Sequence, residues 1–372
     1  MAILDTVFTY AAEQKASDIH VTPGEPYIIR RCGKLCKLDG DALSPERSCE
    51  LILELLDEQQ KERFNKDLQL DFAYEIPGCG RFRGSALMHK EGVGASFRII
   101  APQIPRLEEL GLPGVVKKVL DNHQGLILVT GATGQGKSTT LAAMVDYINE
   151  NRAHHILTVE DPIEFIHPLK KGVVNQRQLG TDTLSYANAL RAALREDPDV
   201  IMIGELRDLE TISLAISAAE TGHLVIGTLS TSSAPKTVDR IIDSYPPEEQ
   251  NQIRAMLSES LKAVLTQKLI ANHDGSGMAL AVEILICTLP MANLIRDGKV
   301  FQIPSMMQTG KGVGMQTMDD ALLLLIKDGK ISAQEACLHA HSKAAFKPLL
   351  EREQKGTGRP AMSSGQNLYA NK

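Results

Sequence analysis

Residues 131–140 read GATGQGKSTT and directly follow an apolar run, LILVT. They match the pattern G-x-x-x-x-G-K-[ST] in full, and the segment that begins inside them, STTLAAMVDYINE, is typical of a helix. A glycine-rich turn between a strand and a helix directs backbone N–H groups at phosphate oxygens, and the helix N-terminus adds positive potential. This feature constrains the chain more than any other, because it predicts an α/β fold with a nucleoside triphosphate site.

The loop also predicts the chemistry of individual side chains. Lys137 supplies a point charge to the β- and γ-phosphates, and the hydroxyl of Ser138 can ligate Mg²⁺. The predicted cofactors are therefore a nucleoside triphosphate and Mg²⁺. The predicted nucleotide-binding residues are Gly131, Thr133, Gly134, Gln135, Gly136, Lys137, Ser138 and Thr139.

Apolar runs alternate with helical segments from about residue 115 onward. The runs LILVT, HILTVED, DVIMIGE, HLVIGTLS and LAVEILI predict a parallel sheet that helices cover on both faces. The first hundred residues differ, since strands joined by glycine turns flank one helical stretch, ERSCELILELLDEQQKERFNK. This pattern predicts a smaller α+β domain with an antiparallel sheet.

Shifts in composition divide the chain into five parts. We expect an α+β domain at 1–100, a proline-rich hinge at 101–114, the nucleotide-binding domain at 115–289, a helical region at 290–355 and a disordered polar tail at 356–372.

Two strand ends carry candidate acids, and sheets of this class present their chemistry at the carboxyl ends of strands. DPDVIMIGELRD places Glu205 there, where it can hold Mg²⁺ through water or orient its ligands; capping the next helix is the alternative. ILTVEDPIEFIH offers Glu160, Asp161 and Glu164, one of which could position the attacking water. A solvated acidic loop is the alternative for this second stretch.

AAETGHLVIGTLSTSSA contains a further candidate strand. It starts with His223 and ends with the hydroxyls of Thr228, Ser230 and Thr231, which could sense a γ-phosphate. A single histidine at the start of a strand is more often structural.

Composition excludes several other classes of protein. The net charge of −6 and the 4% of aromatic residues argue against a nucleic-acid binder. No apolar run is long enough to span a bilayer, and the N-terminal segment predicts an amphipathic helix on the core rather than a signal peptide or membrane anchor. The six cysteines lack the spacing of a zinc site and predict free thiols in a reducing cytosol.

Four stretches in this order resemble the Walker A, aspartate, Walker B and histidine boxes of the secretion ATPase superfamily: GATGQGKSTT, LTVEDPIEFIH, DPDVIMIGELRD and AAETGHLVIGTL. Further on, MANLIRDGKVFQIPSMMQTGKGVGMQTMDDAL resembles the type IV pilus retraction branch of that superfamily. KASDIHVTPGEPYIIR also resembles its N-terminal S-D-[IL]-H opening. The resemblance covers nearly the whole chain except the tail.

The resemblance implies a RecA-like ATPase domain, an N-terminal PAS-like domain and a hexameric ring with ATP at domain and subunit boundaries. It implies that Glu205 is the Walker B acid and that Glu164 is the catalytic glutamate, and it matches His223 to the first histidine of its box. Arg83 and Arg98 match N-terminal arginines that reach the γ-phosphate. Solvated charges on edge strands are the alternative for both.

The resemblance further implies that ATP hydrolysis by a homo-hexamer drives pilus retraction and twitching motility. The implied partners are an inner-membrane platform protein and the other retraction or assembly ATPases of the pilus machine, without nucleic acid. The implied location is the cytoplasm, at the periphery of the inner-membrane pilus base.

Two departures from the family pattern stand out. Ser230 replaces the second histidine of GTLHT, and a serine can donate one hydrogen bond but carries no positive charge. Ala132 and Gln135 replace the usual proline and serine of the phosphate loop, while its glycines, lysine and final serine remain. We therefore expect nucleotide binding to survive, whereas phosphate sensing at position 230 is in question.

Three alternative functions follow from the same features. A pilus assembly or secretion ATPase usually carries a four-cysteine zinc site after the phosphate loop, where this chain has only Cys287 and Cys337. A catalytically weak accessory paralogue of the retraction ATPase is favoured by Ser230. A nucleic-acid translocase shares the RecA core but is disfavoured by the net charge of −6.

Overall fold

A computed structural model describes residues 2–31, 33–100, 103–275 and 277–356. The predicted tail lies outside these residues except for position 356, which ends the last helix, and the first two residues of the predicted hinge also lie outside them.

The first sheet is antiparallel throughout, with its strands in the order β3-β2-β1-β6-β5-β4. Its strands are β1 (Asp18–Val21), β2 (Ile28–Arg31), β3 (Lys34–Lys37), β4 (Gln69–Ile76), β5 (Gly80–His89) and β6 (Gly92–Ile100). The accompanying helices are α1 (Leu4–Glu13), α2 (Pro45–Leu53) and α3 (Glu58–Asp67). The predicted antiparallel α+β domain is therefore present.

Aromatic packing holds the first sheet to α1. Phe8 is fully buried and stacks on Phe82 with ring centroids 4.7 Å apart, and Phe97 lies at the same distance from it. The apolar face of the N-terminal helix thus covers the sheet, as its amphipathic pattern predicted. The single helical stretch predicted after it is two helices, because Asp57 forms a capping box with Gln60 and starts a new helix.

The second sheet is mostly parallel, with its strands in the order β13-β12-β7-β11-β10-β8-β9. Its strands are β7 (Gly125–Thr130), β8 (His155–Glu160), β9 (Val173–Gln178), β10 (Val200–Ile203), β11 (Leu224–Leu229), β12 (Leu261–Ala271) and β13 (Met278–Ile286). The helices between them are α4 (Val115–Leu120), α5 (Lys137–Asn151), α6 (Tyr186–Ala193), α7 (Leu209–Glu220), α8 (Ala234–Ile242) and α9 (Gln250–Ser260). The helices after them are α10 (Leu289–Arg296), α11 (Ile303–Thr309), α12 (Met318–Lys327), α13 (Ala333–His339) and α14 (Lys343–Gly356).

The predicted α/β fold class is confirmed, with two differences in the second sheet. The run LAVEILI belongs to β13, which pairs antiparallel with β12 and is not a parallel strand. The strands β9 and β12 were not predicted. Every residue of β7 and β11 is buried, as expected for strands covered by helices on both faces.

The predicted hinge is anchored for half of its length. Leu107 and Leu112 are buried in the hydrophobic cluster that α4 and α5 form on the second sheet. The chain is therefore fixed to this sheet from Leu107 onward, and a connection that can bend must lie before that residue. No helix in the described part of the chain is both long and apolar enough to cross a bilayer.

Candidate nucleotide site

The phosphate loop joins the end of β7 to the start of α5, as its sequence predicts. Gly136 lies at φ +79° immediately before the helix, a conformation that a residue with a Cβ adopts only with strain. Gly131 lies against β12, because a Cβ at this position would be 2.7 Å from the carbonyl oxygen of Gln267. Both glycines are thus required by the backbone path of the loop.

A cavity of about 490 Å³ separates this loop from the first sheet. It is lined by side chains of both sheets, so a ligand held there contacts both parts of the chain. The predicted site residues that line it are Arg83, Arg98, Thr133, Gly134, Gly136, Lys137, Ser138, Thr139, Glu164 and Glu205.

Lys137 is already oriented towards the loop. Its Nζ donates to the carbonyl oxygens of Gly131 at 2.7 Å and Ala132 at 3.1 Å. Burial lowers the pKa of this amine, while the nearby charge of Glu205 acts in the opposite direction. A phosphate would supply the anion that a partly buried ammonium group lacks.

Glu205 follows β10 and faces the cavity. Its Oε2 accepts a hydrogen bond from Nε of Arg207 at 2.7 Å, and its Oε1 accepts one from Oγ of Ser230 at 3.0 Å. Burial opposes ionisation of this carboxyl, but the hydrogen bonds from Arg207 and Ser230 outweigh it and hold its pKa below the usual value. The group is therefore an ionised carboxylate that lines the same cavity as the hydroxyl of Ser138, and both are oxygen donors suited to Mg²⁺.

The two candidate glutamates after β8 have different surroundings. Glu160 is deeply buried, and its Oε1 accepts hydrogen bonds from Thr158 at 2.7 Å and Gln176 at 3.1 Å, while burial raises its pKa. Glu164 instead faces the other sheet, where its Oε1 lies 3.2 Å from Nη1 of Arg83. Both acids line the cavity, but only Glu164 contacts an arginine of the first sheet, whereas Glu160 is held by Thr158 and Gln176 of its own domain.

The two arginines of the first sheet are direct neighbours. Arg83 on β5 pairs in register with Arg98 on β6, so both side chains extend from the same face. Each has a carboxylate partner, since Nε of Arg98 lies 3.2 Å from Oδ1 of Asp18 while Arg83 contacts Glu164. This pair of cations lies across the cavity from the phosphate loop.

Three predicted site residues are not among those that line the cavity: Gly131, Gln135 and His223. His223 precedes β11 at the end of the sheet opposite the phosphate loop, where its Nδ1 lies 3.0 Å from the carbonyl oxygen of Ala218. His223 therefore does not reach this cavity within a single subunit, and its catalytic role stays a prediction. The side chain of Gln135 also turns away from the cavity, and its Oε1 accepts a hydrogen bond from the backbone N–H of Leu269 at 2.5 Å.

Several lining residues were not predicted. Asp18 and Arg207 contact predicted site residues, and each lies in a stretch that the sequence already marked, SDIH and GELRD. Tyr186 and His167 complete the wall, and burial lowers the pKa of His167 to about 4. No spacing pattern points to these last two, because they come from a helix start and a loop.

Comparisons with known proteins identify the family of this chain. Residues 1–285 match the family described as Type II/IV secretion system protein. The chain is 50% identical over 330 residues to the type IV pilus retractation ATPase PilT of Pseudomonas aeruginosa, which covers 89% of this chain and 96% of that relative. It is 48% identical over 339 residues to a twitching motility protein of Neisseria gonorrhoeae, with 89% and 90% covered.

A solved structure shows the same fold. The crystal structure of the pilus retraction motor PilT with bound ADP has a TM-score of 0.84 and 43% identity to this chain, over 93% of this chain and 98% of that one. The chain therefore belongs to the type II/IV secretion system protein family, in the group that contains the pilus retraction ATPases.

Proposed function

We propose that this chain hydrolyses ATP and uses the energy to retract a type IV pilus, as the subunit of a homo-hexameric motor. The observation that carries the proposal is the composition of the cavity. Lys137 and Ser138 on the phosphate loop face Arg83 and Arg98 on the first sheet, so one triphosphate can contact both domains. Close relatives whose names describe pilus retraction and twitching motility support the biological role.

Each residue then has a role in hydrolysis. Lys137 and the backbone N–H groups of the loop bind the β- and γ-phosphates, and Ser138 with Glu205 holds Mg²⁺. The ion supplies charge neutralisation of the phosphates when it is bound. Glu164 orients the attacking water, and the two arginines stabilise the charge on the transferred phosphoryl group.

Mechanical work follows from the loss of the shared anion. When γ-phosphate leaves, the arginines and the phosphate loop no longer bind the same group, and the two domains can rotate about the connection before Leu107. Six such subunits in a ring would turn an inner-membrane platform protein and withdraw pilin subunits. The motor would act in the cytoplasm, at the periphery of the pilus base and beside other ATPases of that machine.

The test compares ATP turnover of the purified oligomer with that of Arg83→Ala and Arg98→Ala. An arginine that reaches the transferred phosphoryl group is typically worth about 10³–10⁵ in rate, so we expect severe losses of turnover with nucleotide binding retained. Arg31→Ala is a matched control, since Arg31 is exposed at the end of β2 and does not line the cavity. Wild-type turnover in both cavity variants would refute the role of the two arginines.

A second function, an accessory subunit of low activity, is favoured by Ser230. This residue contacts the Walker B acid, Glu205, with a neutral hydroxyl where the retraction branch has a histidine. Complementation of a retraction-deficient strain with the wild-type chain and with Ser230→His, scored by twitching, separates the two functions. Twitching restored by the wild-type chain identifies a main motor. Twitching restored by Ser230→His but not by the wild-type chain identifies an accessory copy. The absence of DNA-stimulated turnover would dismiss a translocase.

A further inference from the structure

The carboxyl group of Glu283 on β13 is buried at a distance from the cavity. The residue is 5% exposed, and it forms no ion pair with a cation of the described residues. Burial raises its pKa, whereas backbone hydrogen bonds from Ala234 and Met318 and the charges of His341 and Lys268 act in the opposite direction. A buried carboxyl group destabilises the fold unless its hydrogen bonds compensate for the loss of water around it. The groups that donate these bonds therefore indicate what the residue holds in place.

The first partner is the start of α8. The backbone N–H of Ala234, the first residue of that helix, donates to Oε1 of Glu283 at 2.7 Å. The loop before it, residues 230–233, returns from β11 to the helix, and Thr231 ties it to Thr237 by a hydroxyl pair at 2.6 Å. Glu283 therefore fixes the end of a four-residue loop whose first residue is Ser230.

That loop reaches the nucleotide site. Ser230 donates to Oε1 of Glu205 at 3.0 Å, and Glu205 lines the cavity. Displacement of the start of α8 would move Ser230 away from this carboxylate, because only three residues separate Ser230 from Ala234. The position of Glu283 is thus linked to that of Glu205 through one short loop.

The second partner is the start of α12, where the backbone N–H of Met318 favours the ionised form of Glu283. Residue Gln316, just before that helix, pairs with Ile284 through backbone hydrogen bonds of 2.8 and 2.9 Å. The start of α8 donates directly to this carboxylate, and the start of α12 is held beside the same strand by the pairing of Gln316 with Ile284. This arrangement joins the loop at the nucleotide site to the helices that follow β13.

We propose that Glu283 is a positioning residue that sets Ser230 against Glu205 and links this loop to the C-terminal helices. The inference rests on the proposed ATPase function, because its effect on turnover requires hydrolysis at the cavity. Its effect on local structure does not require hydrolysis, so the two can fail separately.

The test uses the full chain with Glu283→Ala and Glu283→Gln. For the alanine variant we expect kcat to fall on the order of tenfold while KM for ATP changes little, since the phosphate loop keeps its contacts. Amide hydrogen exchange should increase at 231–237 and 317–321 and stay unchanged in β7 and β10. The glutamine variant keeps an acceptor oxygen for Ala234 and should show a smaller effect on both.

Controls separate positioning from general destabilisation. Glu248→Ala removes an exposed acid before α9 and should match the wild type in turnover and exchange. Ser230→Ala combined with Glu283→Ala should lose less than the product of the two single losses, because both changes act on the same contact. A folded Glu283→Ala protein with wild-type amide exchange at both segments would overturn the proposal. An increase in exchange spread evenly over the second sheet would also overturn it. So would a double variant whose loss of turnover equals the product of the two single losses. If the wild type does not hydrolyse ATP, the proposed function fails, and the local exchange pattern still decides this inference.

Discussion

At the scale of single residues, the two glutamates after β8 show how environment separates like groups. Glu160 uses its carboxylate on Thr158 and Gln176 inside the domain, whereas Glu164 uses its own on Arg83 across the cavity. The sequence could place both at one strand end but could not rank them by contact. The resemblance ranked them, and Glu164 as the catalytic acid stays a prediction.

Glu164→Gln should therefore retain ATP binding and lose most hydrolysis. The amide keeps the shape of the carboxylate but cannot accept a proton from water, and general-base catalysis typically contributes about 10²–10⁴ in rate. Steady-state turnover and binding of a fluorescent ATP analogue check both parts. Glu160→Gln is the control; normal turnover in Glu164→Gln together with a large loss in Glu160→Gln would show that the two roles are exchanged.

The partly buried imidazole of His167 should make the folded state less stable at acid pH. Its pKa is lowered to about 4 by burial, below the usual value of 6.5, so the unfolded chain binds a proton in a range where the folded chain does not. Stability should decrease as the pH falls from about 6.5 to about 4, by roughly 1–3 kcal/mol in total.

Guanidinium unfolding at about pH 7.5 and about pH 5 measures this loss. His167→Gln should reduce the difference between the two values, because glutamine does not titrate. His123→Gln, which changes an exposed histidine, should leave it unchanged. Equal acid sensitivity in all three proteins would contradict the assignment to His167.

At the scale of elements, β12 is one of two unpredicted strands of the second sheet, and it supports the phosphate loop. Its sequence, LKAVLTQKLIA, mixes lysines and a glutamine with apolar residues and follows α9 without a glycine or proline between them. Hydrophobic periodicity therefore gives no clear boundary there. The strand is buried because β7 and β13 flank it, which is a tertiary property.

Gln135 gives this support a test. Its side chain accepts a hydrogen bond from Leu269 on β12 rather than contacting the ligand, so Gln135→Ala removes a bond between the loop and the sheet. We expect the Kd for ATP to rise about tenfold, the usual value of one buried hydrogen bond, with little change in kcat. Isothermal titration measures the Kd; Gln302→Ala is the exposed control. A lower kcat at unchanged Kd would contradict a role in loop support.

The histidine box shows why a match to a family motif does not by itself place every residue of the motif in the site. His223 lies at the amino end of β11 and Ser230 lies just beyond its carboxyl end, so the length of the strand separates them. The two ends of a strand lie on opposite sides of the sheet, and the phosphate loop lies on the side where the parallel strands have their carboxyl ends.

At the scale of the whole molecule, the two domains meet through polar contacts and through one small apolar cluster of Ile100, Ala142 and Phe165. Arg83 pairs with Glu164, and Nη2 of Arg81 donates to the carbonyl oxygen of Ile163 at 3.1 Å. Both domains and their order in the chain could be predicted from composition and patterning. The contact between them could not, because it depends on the orientation of side chains from separate sheets.

A non-hydrolysable ATP analogue should change the relative position of the domains. Binding of its γ-phosphate replaces the carboxylate partners of Arg83 and Arg98, so the small-angle scattering curve of the wild type should change on loading. The double variant Arg83→Ala/Arg98→Ala should bind the analogue without that change. Identical curves for loaded and unloaded wild type would exclude domain movement of this size.

The ion pair between Arg83 and Glu164 has a consequence for when ATP can be hydrolysed. If Glu164 orients water as proposed, its ion pair with Arg83 withholds it from that role until a triphosphate is bound. A γ-phosphate that binds Arg83 would compete with Glu164 for the guanidinium group and release the carboxylate. The same ligand would then both bring the bond to be broken and free the acid proposed to act on it.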